Sequence, residues 1–307
     1  MRNTVINALL FGFCFIGGLS AAEPLPAISA AQGQPRTNLA NSLTIPLDLS
    51  TNAASTNAGP YKVPENRIVE FLVPLSPAAK VSVESSKNAK VRFTRAAIAV
   101  PEGFEPDIPT PILLVNGTSD GNGSSIRPMH SFTNVALRLG WIVIAADGPF
   151  GKPAQDNPPW RWAMVSSLLD HIHKTWPNSK RWPIASAGIS GGGKWAGVTG
   201  GILAAKGYNV IGVFMGAVNE DYASETARLY DPATAFKAVP IYLSSGTDDK
   251  VATVEHHEHV KENLLHNGFK TVRLEAFRGG HDLSQTGLQK ALMWFIEEYG
   301  KESTETK

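Results

Sequence analysis

Between Tyr61 and Gly300 the chain alternates short apolar runs with stretches in which apolar residues recur every three or four positions. The runs Ile112 to Val115, Trp141 to Ala146, Ile184 to Ala187, Val210 to Met215 and Ile241 to Ser245 read as the strands of a sheet covered on both faces, and Val272 to Phe277 reads as the last strand. Helical spacing fills the intervals. Met129 to Leu139 is closed by Gly140, Lys194 to Lys206 by Gly207, and Val254 to Leu265 by Gly268. Val165, Leu168, Leu169, Ile172 and Trp176 line one helix that stops before Pro177. Leu288, Ala291, Leu292, Phe295 and Tyr299 line another near the C-terminus. Upstream, Ile68 to Val73 and Phe93 to Val100 carry β-favouring residues, and Lys80 to Lys90 between them reads as a polar turn and short strand.

This alternation predicts an α/β fold: a doubly wound, mainly parallel sheet with helices on both faces, joined by right-handed crossovers. Residues 217–238 read as a short polar segment, too short for a large cap domain. In such sheets the working site lies beyond the C-terminal ends of the strands. Five loops then share one rim, beginning near Asn116, Asp147, Ser190, Gly246 and Gly279.

The pattern breaks down outside 61–300. Residues 1–22 combine Arg2, an apolar stretch from Val5 to Gly18 and the small residues Ser20-Ala21-Ala22, the layout of a cleavable signal peptide. Residues 23–60 are rich in Ala, Ser, Thr, Asn and Pro and read as an extended or disordered leader. Residues 301–307 read as a polar tail. The 61–300 segment is thus expected to be one catalytic domain, in an extracytoplasmic protein with no stable membrane insertion after cleavage. The single cysteine, Cys14, lies in the signal segment, so the mature chain has neither a disulfide nor a cysteine nucleophile. Cleavage would also remove Arg2 and leave basic and acidic residues balanced, which recommends no nucleic-acid partner.

Chemistry concentrates in three of the rim loops. Gly188-Ile189-Ser190-Gly191-Gly192 is a G-x-S-x-G match between a predicted strand and a predicted helix, the setting in which a sharp turn presents a nucleophilic serine. The amide of Gly191 would lie at the positive end of that helix, where a developing oxyanion is stabilised. A serine hydroxyl needs a base, and the base a partner that fixes its tautomer. His281, in Gly279-Gly280-His281 after the last strand, is the best placed of the eight histidines. The acid comes from Gly246-Thr247-Asp248-Asp249-Lys250-Val251, with Asp249 preferred, Asp248 its rival and Asp282 a weaker alternative. The amide of Thr118, in the loop after Ile112 to Val115, supplies the second oxyanion donor. Trp160 and Trp162, just after a proline-rich loop on the same rim, are candidates to line a substrate pocket.

Residues from roughly 65 to 299 resemble the α/β-hydrolase superfamily, on the strength of the Gly188 to Gly192, Gly246 to Val251 and Gly279 to His281 motifs. The stretch Ala97 to Pro106, running into Pro111 to Gly117, is similar to secreted esterases of the polyhydroxyalkanoate-depolymerase, feruloyl-esterase and dienelactone-hydrolase-like groups, with Asn116-Gly117 where those carry His-Gly. The resemblance implies a Ser190–His281–Asp249 triad that cleaves a small or polymeric ester through an acyl-enzyme, without a cofactor. A prolyl-oligopeptidase-type peptidase and a non-catalytic ligand-binding relative are the alternatives. Glu255-His256-His257-Glu258-His259 superficially suggests a metal cluster, but Lys261 stands where the H-E-x-x-H motif requires its second histidine. It reads as a solvated helix surface, and no metal site is expected.

Overall fold

The computed structural model describes residues 63–86, 91–119, 124–148, 156–230 and 235–305, with side chains to residue 301. The proposed signal peptide and leader lie outside them. In chain order the elements are β1 (Val69–Pro74), α1 (Pro77–Ser85), β2 (Phe93–Ala99), β3 (Ile112–Asn116), α2 (Ile126–Arg138), β4 (Ile142–Asp147), α3 (Pro158–Thr175), β5 (Ile184–Ile189) and α4 (Gly191–Ala205). They continue with β6 (Val210–Gly216), α5 (Tyr222–Tyr230), α6 (Ala235–Ala238), β7 (Ile241–Gly246), α7 (Val254–His266), β8 (Val272–Phe277) and α8 (Gln285–Glu305). One eight-stranded sheet runs in the order β1-β2-β4-β3-β5-β6-β7-β8. β1 and β2 pair antiparallel, as do β2 and β4, and every later pairing is parallel.

Period-two alternation divides the sheet between two cores. Ile112 and Leu114 join Ile142, Ile144 and Ile184 under α1 and α3, where Leu168, Leu169 and Ile172 pack down on them. Leu113 and Val115 point the other way, with Val143, Ala185 and Phe214, beneath Phe132 of α2 and Leu292 and Phe295 of α8. Towards β8, Val213, Met215, Ile241 and Leu243 pack with Phe236 of α6 and Val260 and Leu264 of α7. Because β3 to β7 are covered on both faces, they read as unbroken apolar runs rather than as alternating ones.

Three segments depart from the sequence reading. Lys80 to Lys90 was expected as turn and short strand, yet Pro77–Ser85 is helical. Val81 and Val83 imitate a strand alternation, but Val81 is 66% exposed while Ala79 and Val83, four apart, share the buried face. The local signal was a capping serine: Ser76 Oγ accepts the Ala79 amide at 3.2 Å, with proline at the first helical position. The 217–238 segment holds the two short helices α5 and α6, the first capped by Asp221, whose Oδ1 accepts the Ser224 amide at 3.0 Å. At the C-terminus α8 continues to Glu305, taking in most of what composition suggests as a tail.

Candidate active site

The strand–turn–helix context of Ser190 is present and sharply bent. Its backbone sits at φ 56°, ψ −129°, a conformation that costs a non-glycine residue on the order of 1–3 kcal/mol. That geometry is held from both sides. The Ser190 amide donates to Gly216 O at the end of β6 at 2.8 Å, and its carbonyl accepts the Gly193 amide at 2.9 Å as α4 begins. A side chain at Gly188 would collide with the Gly192 carbonyl, and one at Gly192 with that of Asn116. Only glycine permits this approach of strand and helix.

The two expected oxyanion donors lie side by side. A Cβ on Gly191 would run into the Thr118 hydroxyl and stand 3.4 Å from Thr118 Cα. The loop that carries Thr118 is gripped by α4 through residues four apart: Gly191 abuts Thr118, Trp195 Nε1 donates to Ser119 Oγ at 2.9 Å, and Thr199 Oγ1 donates to Asn116 Oδ1 at 2.7 Å. Asn116 is buried, and its amide also donates to Ser186 Oγ at 2.9 Å and Ala187 O at 3.2 Å on β5. Asp147, at the end of β4, accepts the Ser125 and Ile126 amides and fixes the start of α2, while Ser125 Oγ accepts the Gly117 amide at 3.0 Å.

Across the rim, the acid and histidine loops are zipped together. Thr247 N donates to Phe277 O and Asp248 N to Gly279 O, both at 2.8 Å. Of the three aspartates weighed, Asp249 is the one that meets the imidazole: His281 Nδ1 lies 2.8 Å from Asp249 Oδ2. Asp248 and Asp282 are exposed. Asp249 Oδ1 accepts the Val251 and Ala252 amides at 2.8 and 2.9 Å. Burial pushes its carboxyl up, but those amides and His281 outweigh it and hold the group below the usual carboxylate range. An ionised carboxylate can only accept, so Nδ1 carries the proton and Nε2 keeps its lone pair as an acceptor. No hydrogen bond joins the Ser190 hydroxyl to His281 in this structure, a contact that often tightens only around substrate. The imidazole side chain is 30% exposed and follows two glycines, Gly279 and Gly280.

The tryptophans correct the sequence reading. Trp160 is 4% exposed and belongs to the core under α3. Trp162 packs edge-on against Tyr208, ring centroids 6.4 Å apart, and Tyr208 precedes β6 at the opposite end of the sheet from the catalytic loops. Their helix starts at the rim, but these two side chains turn into the protein.

Two residues escaped the sequence reading. His257, taken as part of a solvated helix surface, is fully buried; its Nε2 accepts the Val218 amide at 3.0 Å and its Nδ1 meets Thr253 O at 2.9 Å. Burial lowers its pKa, against the raising influence of the Thr253 carbonyl and Asp249. Its helical period with Val260 and Leu264 was the available signal. Arg161 reaches from α3 to the Gly117 carbonyl, Nη1 to oxygen 2.7 Å, a contact that nothing in the sequence marks.

Among the described residues, no group of three or more His, Cys, Asp or Glu side chains is arranged to hold a metal ion, and no helix is long and apolar enough to cross a membrane. A groove of about 430 Å³ flanks β8, lined by Tyr242, Arg273, Glu275, Lys290 and Trp294, where Glu275 joins the Tyr242 hydroxyl and the Lys290 ammonium, each at 2.6 Å.

No family model and no curated protein matches the sequence. Solved structures do match the fold. A ferulic acid esterase superposes with a TM-score of 0.51 at 15% identity, covering 74% of this chain and 95% of its own. An esterase from Pyrobaculum calidifontis gives 0.50 at 14% identity, covering 77% of this chain and 86% of its own. A thermophilic esterase from Thermogutta terrifontis, with butyrate bound, gives 0.50 at 15% identity, covering 73% and 94%. The architecture is therefore the α/β-hydrolase fold.

Proposed function

We propose that this chain, an α/β-hydrolase by fold, is a serine hydrolase that cleaves carboxylic esters through an acyl-enzyme. The observation that carries the reading is the presence, beyond the C-terminal ends of parallel strands of one sheet, of a strained serine at a strand–helix turn and a histidine bonded to a buried carboxylate. His281 Nε2 takes the Ser190 proton as Oγ attacks the ester carbonyl, and the imidazolium that forms is stabilised by Asp249. The amides of Gly191 and Thr118 receive the tetrahedral oxyanion; one such donor is worth about 3 kcal/mol in the transition state. Protonated His281 then gives its proton to the departing alkoxide. A water molecule, activated by the same imidazole, releases the acid and regenerates Ser190.

The test is covalent labelling combined with turnover. A fluorophosphonate should modify Ser190, and the protein should hydrolyse p-nitrophenyl acyl esters but not amino-acyl amides, with Ser190→Ala abolishing both label and rate. Amide cleavage would favour a peptidase, and failure to label would favour a ligand-binding relative. A panel of acetyl, butyryl, octanoyl, feruloyl and hydroxybutyrate esters reads the acyl preference. Export is proposed on residues 1–22, and the N-terminal sequence of the mature protein checks it.

A further inference from the structure

Arg161 sits in the first turn of α3 with its side chain 12% exposed and each of its three guanidinium nitrogens donating a hydrogen bond. Nε and Nη2 form a fork on the Asp156 carboxylate at 2.7 and 2.6 Å, and Nη1 donates to Gly117 O at 2.7 Å. Its flat face lies over Trp195, with Cζ 4.2 Å from the ring centroid. Trp195 in turn donates from Nε1 to Ser119 Oγ at 2.9 Å. Thr118 is therefore held on both sides, through Gly117 by the guanidinium and through Ser119 by the indole on which that guanidinium stacks.

The carbonyl of Gly117 and the N–H of Thr118 belong to one peptide unit. That unit is planar and trans, so the two groups point in opposite directions along one plane. Fixing the carbonyl fixes the direction of the N–H. A cation on the carbonyl oxygen also draws electron density through the amide and makes its N–H a stronger donor. We propose that Arg161 is a positioning residue for the oxyanion site: by anchoring the Gly117 carbonyl it aims the Thr118 amide at the space beside Gly191. This rests on the serine-hydrolase reading above.

The arrangement is specific to arginine. An ammonium is a point charge on a flexible stem, unable to grip Asp156 in a fork, stack on Trp195 and reach Gly117 at once. The start of α3 does not depend on this side chain, because Asn157 Oδ1 accepts the Trp160 amide at 3.0 Å and Pro158 occupies the first helical position. Loss of Arg161 should therefore show in the transition state more than in folding.

The experiment compares wild type, Arg161→Met, Arg161→Lys and Trp195→Phe on a p-nitrophenyl ester. It also measures inhibition by a trifluoromethyl ketone, which forms a tetrahedral oxyanion on the serine, against inhibition by the matching carboxylic acid. Arg161→Met should lower kcat by about 10²-fold, the scale of a lost oxyanion donor, with KM within about twofold. Its affinity for the ketone should fall in parallel, while that for the acid holds. Arg161→Lys should recover only part of the loss. Trp195→Phe keeps a ring beneath the guanidinium and removes only the donor to Ser119, so it should lose about tenfold in kcat. Arg161→Lys decides the question should Arg161→Met fail to fold. A folded Arg161→Met enzyme with kcat within about threefold of wild type overturns the assignment, as does equal weakening of ketone and acid. Unchanged kcat in Arg161→Lys, where Arg161→Met does not fold, also overturns it. A wild type that neither turns over esters nor takes the fluorophosphonate overturns the hydrolase reading and this one with it; an active wild type with indifferent variants overturns this one alone.

Discussion

His257 Nε2 accepts the Val218 amide two residues beyond Gly216, whose carbonyl holds the Ser190 amide. Between them stands Ala217 at φ 50°, its own amide bonded to Ser244 O at 2.9 Å. A buried neutral imidazole thus braces the turn against which Ser190 is bent.

That imidazole makes the fold sensitive to acid. Burial lowers its pKa below the ordinary 6.5, and protonation would put a proton where the Val218 N–H now points. Below 6.5 the unfolded chain binds a proton that the folded chain refuses, so stability falls as pH drops from 6.5 towards the depressed folded value. The slope is at most about 1.4 kcal/mol per pH unit for this group. His257→Gln, followed by urea denaturation from pH 7.5 to 4.5, should show a shallower slope. At neutral pH it should be less stable by about 1–3 kcal/mol wherever the amide does not recapture Val218 N.

Asp249→Asn should lower kcat by on the order of 10³–10⁴ with little change in KM, because the neutral amide no longer selects the Nδ1-protonated imidazole or stabilises its cation. Asp248→Asn, at an exposed position, should stay within about twofold of wild type. Steady-state kinetics of the pair checks this, and the reverse ranking would reassign the acid.

Ser190→Gly should abolish turnover and raise the unfolding free energy by about 1 kcal/mol. Glycine removes the strain of φ 56°, ψ −129°, offset in part by its greater freedom when unfolded. Calorimetry of the variant against Ser190→Ala, which keeps a Cβ in the strained position, isolates the backbone effect.

Trp160→Ala should cost about 3–5 kcal/mol of stability, the usual penalty for emptying a large buried ring. For the fraction that stays folded, KM should be unchanged. Denaturant midpoints and kinetics together separate a core residue from a pocket wall.

Most of the architecture was legible because β3 to β7 are buried on both faces and written as continuous apolar runs, most of them followed by a helix with its own stop signal. α1 was hidden by Val81, an exposed residue that supplied a false alternation, while the cap at Ser76 carried the correct information. The proposed site residues Ser190, Asp249 and His281 stand out in the sequence because each sits in a short glycine-bearing motif at a strand end, and the bond between His281 and Asp249 is present in the fold. His257 and Arg161 do not stand out, since their importance lies in backbone groups they reach 39 and 44 residues away, and a backbone carbonyl or amide leaves no mark in the sequence. Trp160 and Trp162 misled because nearness along the chain to a rim loop says nothing about which side of a helix a ring leaves.

The stripe Gly191, Trp195 and Thr199 ties Ser190 and the loop that carries Thr118 to the same rod of backbone. Those two parts of the candidate site share one support. On the proposed reading, accommodation of a bulky ester then falls to the histidine side, and Gly280→Ala, where an added methyl meets no neighbour, should narrow the range of esters accepted before it slows the best of them.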